Sequence, residues 1–305
     1  MTYSRRQFGK IVLTGLPLAA ATFSNPSLLF AADKPDSKFN GVQIGVIAPY
    51  SYHNMPDDAE SLLKFIVRDG ISAAEMQAPP IEEFAGAPKQ SGNVQEKEMT
   101  QWRISVPMSK FVSLRKIYNR AGVRIYGFKL QLTAEMPDAE YDYAFNVTKA
   151  LGANQLTMEL PKDSSLSKRI GEFADKHKMM VGYHAHLQAT PTAWNEAMSQ
   201  SPYNGINLDL GHYVAAGNHD ALDFIRKNHR RITSIHLKDR KYKENGGQNM
   251  PWGQGNTPIK EALQLMKKDR YKFPGTIELE YAPPEGSDSE KEIVKCLAYA
   301  RAALV

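Results

Sequence analysis

Ionisable side chains recur at the ends of apolar runs in the second half of this chain: Glu159; His184 and His186; Asp209 and His212; His236, Lys238 and Asp239; Glu278 and Glu280. Runs of this kind are buried on both faces when they form a parallel sheet. A carboxylate or imidazole in them is costly unless it is paired or binds a cation. Brought to one place, these groups form a set of oxygen and nitrogen donors with no thiolate among them. That set suits a divalent ion such as Mn²⁺, Mg²⁺, Co²⁺ or Zn²⁺ with positions left open for substrate. One divalent metal ion is therefore the expected cofactor. The single cysteine, Cys296, excludes a Cys-rich zinc site, an iron–sulfur cluster and an internal disulfide framework. Each residue also has a plainer reading. A strand-end histidine is often structural, Asp239 can pair with Lys238 or cap a helix, and one of Glu278 and Glu280 can be structural. The weight lies in five successive runs ending alike.

The elements that must position these groups read as repeated strand-then-helix units. Expected strands are 42–49, 71–77, 123–131, 155–160, 180–186, 206–212, 232–239 and 276–281. Helical patterns fall at 58–68, 141–151, 166–177, 192–198, 221–228 and 259–267. Counted between Pro49, Gln77, Gln131, Glu159, His186, His212, Asp239 and Glu280, five of the seven intervals are 26 to 28 residues. Two are longer and hold a Pro/Gly/Glu-rich insertion at 78–105 and a polar, glycine-rich one at 241–255. Eight such units predict an α/β fold, a single-domain (β/α)8 TIM barrel over residues 33–305, whose active site lies at the strand C-termini. The alternative, an open doubly wound sheet, calls for a Gly-rich phosphate loop that is missing after the early strands. No nucleotide cofactor is expected.

Composition agrees with a folded enzyme. Of 305 residues, 42% are hydrophobic and 23% charged, the balance of a chain with a real core. The net charge of +5 is mild, and no Lys/Arg-dense stretch alternates with aromatics, so nucleic acid is not an expected partner. At the N-terminus, Arg5-Arg6-Gln7-Phe8-Gly9-Lys10 precedes an apolar run from Ile11 to Phe23 and small residues at Ala31 and Ala32. This is the layout of an export signal over 1–32, resembling the twin-arginine type, and it implies a periplasmic or secreted protein. The apolar run is too short to span a bilayer, and no lipidation cysteine lies near it, so no stable membrane anchor is expected.

Four motifs carry a family resemblance: Gly205-Ile206-Asn207-Leu208-Asp209-Leu210-Gly211-His212, Ser234-Ile235-His236-Leu237-Lys238-Asp239, Met250-Pro251-Trp252-Gly253-Gln254-Gly255 and Gly275-Thr276-Ile277-Glu278-Leu279-Glu280. With them the chain resembles the xylose-isomerase-like TIM-barrel superfamily of sugar isomerases, ketose 3-epimerases, inosose dehydratases and endonuclease IV. In the ketose 3-epimerases, Glu, Asp, His and Glu hold one divalent metal. The resemblance matches Asp209, His236 and Glu280 to the last three, with Glu278 the weaker match. It matches His212 to a substrate-contacting histidine. The chain departs from the family at the first glutamate, where His184 stands. Either His184 or Glu159 substitutes for it.

The expected metal ligands are thus Glu159, His184, Asp209, His236 and Glu280. Glu159, His184 and Glu280 are the expected catalytic groups; His186, His212, Lys238 and Trp252 are expected to bind substrate. The resemblance implies proton abstraction next to a metal-polarised carbonyl of a sugar or cyclic polyol, giving isomerisation or epimerisation. An alternative shares that first step and ends in elimination of the aglycone from a 3-keto-glycoside. A second alternative is a carbohydrate-binding barrel without chemistry, using Trp252, Tyr50 and Tyr52 at its mouth. The expected partner is a small carbohydrate, with a homo-oligomer left open.

Overall fold

The computed structural model describes residues 34–88 and 96–305. The expected export signal lies outside them, as do residues 89–95 of the first insertion. Eight parallel strands close into a barrel: β1 (Val42–Ala48), β2 (Ala73–Gln77), β3 (Arg124–Lys129), β4 (Gln155–Glu159), β5 (Met180–His184), β6 (Asn204–Asp209), β7 (Ile232–Leu237) and β8 (Gly275–Ile277). Each strand pairs with its sequence neighbours, and β8 pairs with β1 through Thr276 opposite Gly45, which completes the ring. A two-residue strand, Lys38–Phe39, lies antiparallel on β1.

The strands form where apolar and β-branched residues can be covered on both sides. Ile44, Val46, Leu156, Val181, Ile206, Leu208, Ile235 and Ile277 are fully buried. The outer layer comprises α1 (Ala59–Arg68), α2 (Ala78–Phe84), α3 (Glu96–Ser105), α4 (Met108–Arg120), α5 (Asp138–Leu151), α6 (Ser164–His177), α7 (Asn195–Gln200), α8 (Leu210–Ala215), α9 (Ala221–Asn228), α10 (Ile259–Lys268) and α11 (Ser289–Leu304). In α1 the Asp58 side chain accepts from the Glu60 and Ser61 amides, and Leu62, Leu63 and Ile66 turn inward. Gly152 ends α5 at φ +72°, a left-handed cap that costs a glycine little. Among the described residues no helix is long and apolar enough to cross a membrane.

Several sequence expectations differ in detail from this structure. The Pro/Gly/Glu-rich insertion at 78–105 contains α2 and α3. Pro79 and Pro80 occupy the first turn of α2, where a missing N–H costs nothing. Strands β5, β6 and β8 stop earlier than expected, at His184, Asp209 and Ile277. His212 therefore sits on α8, whose first turn is capped by the Asp209 carboxylate accepting from the His212 amide at 2.7 Å. The second insertion folds back on itself, pairing Asn249–Met250 with Asp239–Arg240.

Candidate active site at the strand C-termini

The barrel interior is polar along one line. Glu75, in the middle of β2, is fully buried. Its carboxylate accepts from Thr157 Oγ1 at 2.6 Å, His236 Nε2 at 2.9 Å and Asn207 Nδ2 at 3.4 Å. The other ring nitrogen of His236, Nδ1, lies 3.0 Å from Glu278 Oε2. Burial alone would lower the His236 pKa, yet Glu75 and Glu278 push it up to about 10. In this state the imidazole is a cation between two carboxylates.

One level higher, ligand atoms of His184, Asp209, His236 and Glu278 all lie within 4.8 Å of one another, and all four residues are buried. Donors about 2.1 Å from a shared ion stand roughly 3–4 Å apart, so a small contraction around a dication suffices. His184 Nδ1 is buried without a hydrogen-bond partner, and its Nε2 lies 3.7 Å from Asp209 Oδ2. Burial, with Lys129 nearby, keeps the His184 imidazole neutral, the form that binds metals. Two imidazoles and two carboxylates around one point fit a divalent cation. Its binding would release the proton on the coordinating nitrogen of His236.

Lys238 reaches the same point. Its Nζ lies 2.8 Å from Asp209 Oδ2, 3.1 Å from Glu278 Oε2 and 2.9 Å from Glu280 Oε2. Burial opposes its charge, but these three carboxylates hold the ammonium well above its ordinary pKa. Burial and the Glu278 charge raise the Asp209 pKa, whereas Lys238 and His236 hold Glu278 low against its own burial. Gly211 lets α8 approach β7 here: a Cβ would fall 2.7 Å from the Lys238 carbonyl oxygen.

The rim of the mouth is a second tier. Glu159 Oε2 lies 3.0 Å from His186 Nε2, and its Oε1 lies 2.9 Å from Lys129 Nζ. Against partial burial these partners lower Glu159 to about 2, and the same hydrogen bond raises His186. The His186 and His212 rings are 4.6 Å apart, and His212 Nε2 is 3.9 Å from Glu280 Oε1. Burial and the Lys238 charge lower His212 to about 3, so it is a neutral imidazole. Tyr50 donates to Glu280 Oε1 at 2.7 Å.

The expected site residues thus divide. His184, Asp209 and His236 fall in the buried group. Glu278 joins them, and Glu280 takes a place on the rim against Lys238 and Tyr50. Glu159, His186 and His212 complete the rim. Trp252 packs edge-on against Tyr299 of α11, with ring centroids 5.8 Å apart. Tyr52, expected at the mouth, is buried and bonded to Asp69. Asp239 anchors the second insertion by accepting from the Gly253, Gly255 and Thr257 amides. Glu75 and Lys129 were missed. The signal for Glu75 was a lone carboxylate inside Ala73-Ala74-Glu75-Met76, a stretch otherwise fit for a two-sided strand. A cavity of about 890 Å³ lined by Lys34, Arg115, Lys116, Arg120 and Arg124 lies where β3 begins, away from these groups.

Comparison with known proteins agrees with this architecture. No curated protein sequence matches the chain. A xylose isomerase domain protein from Planctomyces limnophilus has the same fold at 15% identity and a TM-score of 0.61, over 87% of this chain and 97% of that one. The probable 3-DHS dehydratase involved in petrobactin synthesis from Bacillus anthracis aligns at 15% identity and a TM-score of 0.61, over 84% and 98%. A 3-keto-D-glucoside 4-epimerase from E. coli aligns at 11% identity and a TM-score of 0.58, over 86% and 99%. Residues 165–302, which carry every site residue from His184 to Glu280, match the family model described as xylose isomerase-like TIM barrel. The matched segment is the second half of the closed barrel, from α6 through β8 to α11, and over it the chain is similar to the xylose isomerase-like TIM barrel family.

Proposed function

We propose that the protein is a divalent-metal-dependent carbohydrate isomerase or epimerase that removes a proton from a carbon next to a carbonyl. The observation that supports this most is the two-tier mouth: a buried group of His184, Asp209, His236 and Glu278 beneath a rim of ionised carboxylates and one neutral imidazole, His212. The four buried residues would hold the ion, which when bound supplies Lewis acidity at a carbonyl oxygen. Glu159 and Glu280 are the candidate bases. The His186 hydrogen bond with the Lys129 charge at Glu159, and the Lys238 charge with the Tyr50 hydrogen bond at Glu280, keep both anionic at neutral pH against their own burial. Lys238 sets a fixed positive charge where negative charge develops as the proton leaves. His212, neutral, orients a substrate hydroxyl.

A second reading keeps the same first step and ends in elimination from a keto-glycoside. His186 favours it, because its hydrogen bond to Glu159 raises its pKa and readies it to protonate a leaving group. Incubation of the Mn²⁺-loaded protein in D₂O with a panel of sugars and keto-glycosides tests both. Deuterium next to a carbonyl is expected, with a released aglycone only in the elimination. Turnover without solvent label, or sugar binding with no turnover and no effect of chelation, overturns the proposal.

A further inference from the structure

We infer that Glu75 is a positioning residue for metal binding: it fixes the His236 ring so that Nδ1 faces the ion and Nε2–H points away from it. The inference rests on the metal-dependent reading above. Glu75 stands on β2, and β1 and β8 separate it from β7, which carries His236, so the contact crosses the barrel interior. Glu75 itself lies outside the four-donor group. Its two oxygens have distinct tasks: Oε1 accepts from Thr157 and Asn207, whereas Oε2 is left for His236 alone. Thr157 and Asn207 thus hold the carboxylate while the carboxylate holds the ring.

An imidazole has two nitrogens, and a donor contact at one decides which lone pair the other offers. The Nε2 contact at 2.9 Å leaves Nδ1 beside Glu278, inside the group that also contains Asp209 and His184. A carboxylate, histidine and metal in series sharpen both the orientation and the basicity of the ligand. Loss of such an outer partner weakens metal binding by about 10–100-fold. A buried carboxylate in mid-strand has no comparable use in packing, since an apolar residue of the same volume would fill the site at lower cost.

The test compares wild type with Glu75→Gln, which preserves volume. Mn²⁺ titration by calorimetry is expected to show affinity weaker by at least tenfold in E75Q, with near-UV circular dichroism unchanged. In the Zn²⁺-loaded wild type labelled with ¹⁵N-histidine, His236 is expected to show a metal-bound Nδ1 and a protonated Nε2. Its signals are identified by their loss in His236→Gln. This readout needs no Glu75 variant to fold, and a purely structural Glu75 would leave it free to take either tautomer. Metal bound through Nε2, or E75Q binding Mn²⁺ as tightly as wild type, overturns the inference while leaving the metal site standing. A wild type that binds neither ion overturns the metal reading and this inference with it.

Discussion

At the scale of residues, the site is a balance of buried charge. Four carboxylates, Glu75, Asp209, Glu278 and Glu280, face the cations His236 and Lys238. Removing one cation leaves anions that burial penalises, whereas a dication supplies the missing charge. Lys238→Met is therefore expected to destabilise the metal-free protein by about 3–5 kcal/mol in urea unfolding. Added Mn²⁺ should recover part of that loss; an unchanged urea midpoint would show that the ammonium is not held by these groups. The rim predicts a pH dependence. Glu159 is lowered from 4.5 to about 2, so its contribution to stability is complete above 4.5 and vanishes as pH falls through about 2. His186 is raised above 6.5, so its contribution is complete below 6.5 and fades as pH rises through its folded value. The difference in melting temperature between wild type and Glu159→Gln should thus be widest between about 4.5 and 6.5 and shrink on both sides. A gap that grows steadily with pH contradicts the pairing.

Among the elements, the first insertion is tied to the barrel by buried charge. Arg103 on α3 donates to Glu82 on α2 through Nε at 2.9 Å and to Glu140 on α5 through Nη1 at 2.9 Å, and all three are buried or nearly so. Tyr143 adds a hydrogen bond to Glu82 at 3.0 Å. Cutting this junction leaves two carboxylates without their cation, so Arg103→Met is expected to cost about 3–5 kcal/mol. Limited proteolysis should then cut first within 78–105; a wild-type cleavage pattern would mean that α2 and α3 are held by other contacts. The eight-strand count and spacing were legible because each unit repeats an apolar strand and an amphipathic helix. The helices inside the first insertion were not legible in the sequence. Its prolines and glycines suggest a loop, and the helices they flank depend on Arg103 meeting acids 21 and 37 residues away in the chain.

For the molecule as a whole, we propose export of the folded barrel by the twin-arginine route, which would let it take up its metal before translocation. In a bacterium with that pathway, a chain with Arg5→Lys and Arg6→Lys should stay in the cytoplasm at full length, while the unaltered chain appears outside it shortened near Ala32. Equal export of both would end that proposal. The sequence by itself determined the number and order of strands, the closure into a barrel, and which end of it collects Glu159, His184, Asp209, His236 and the glutamates that follow β8, because periodicity and strand ends are local properties. Only the tertiary structure decided that Glu278 turns inward and Glu280 outward, since β8 ends at Ile277 and the two-residue alternation lapses beyond it. It alone also paired Glu75 with His236, 161 residues apart, because a contact across the barrel depends on strand stagger around a closed ring and leaves no pattern in either strand.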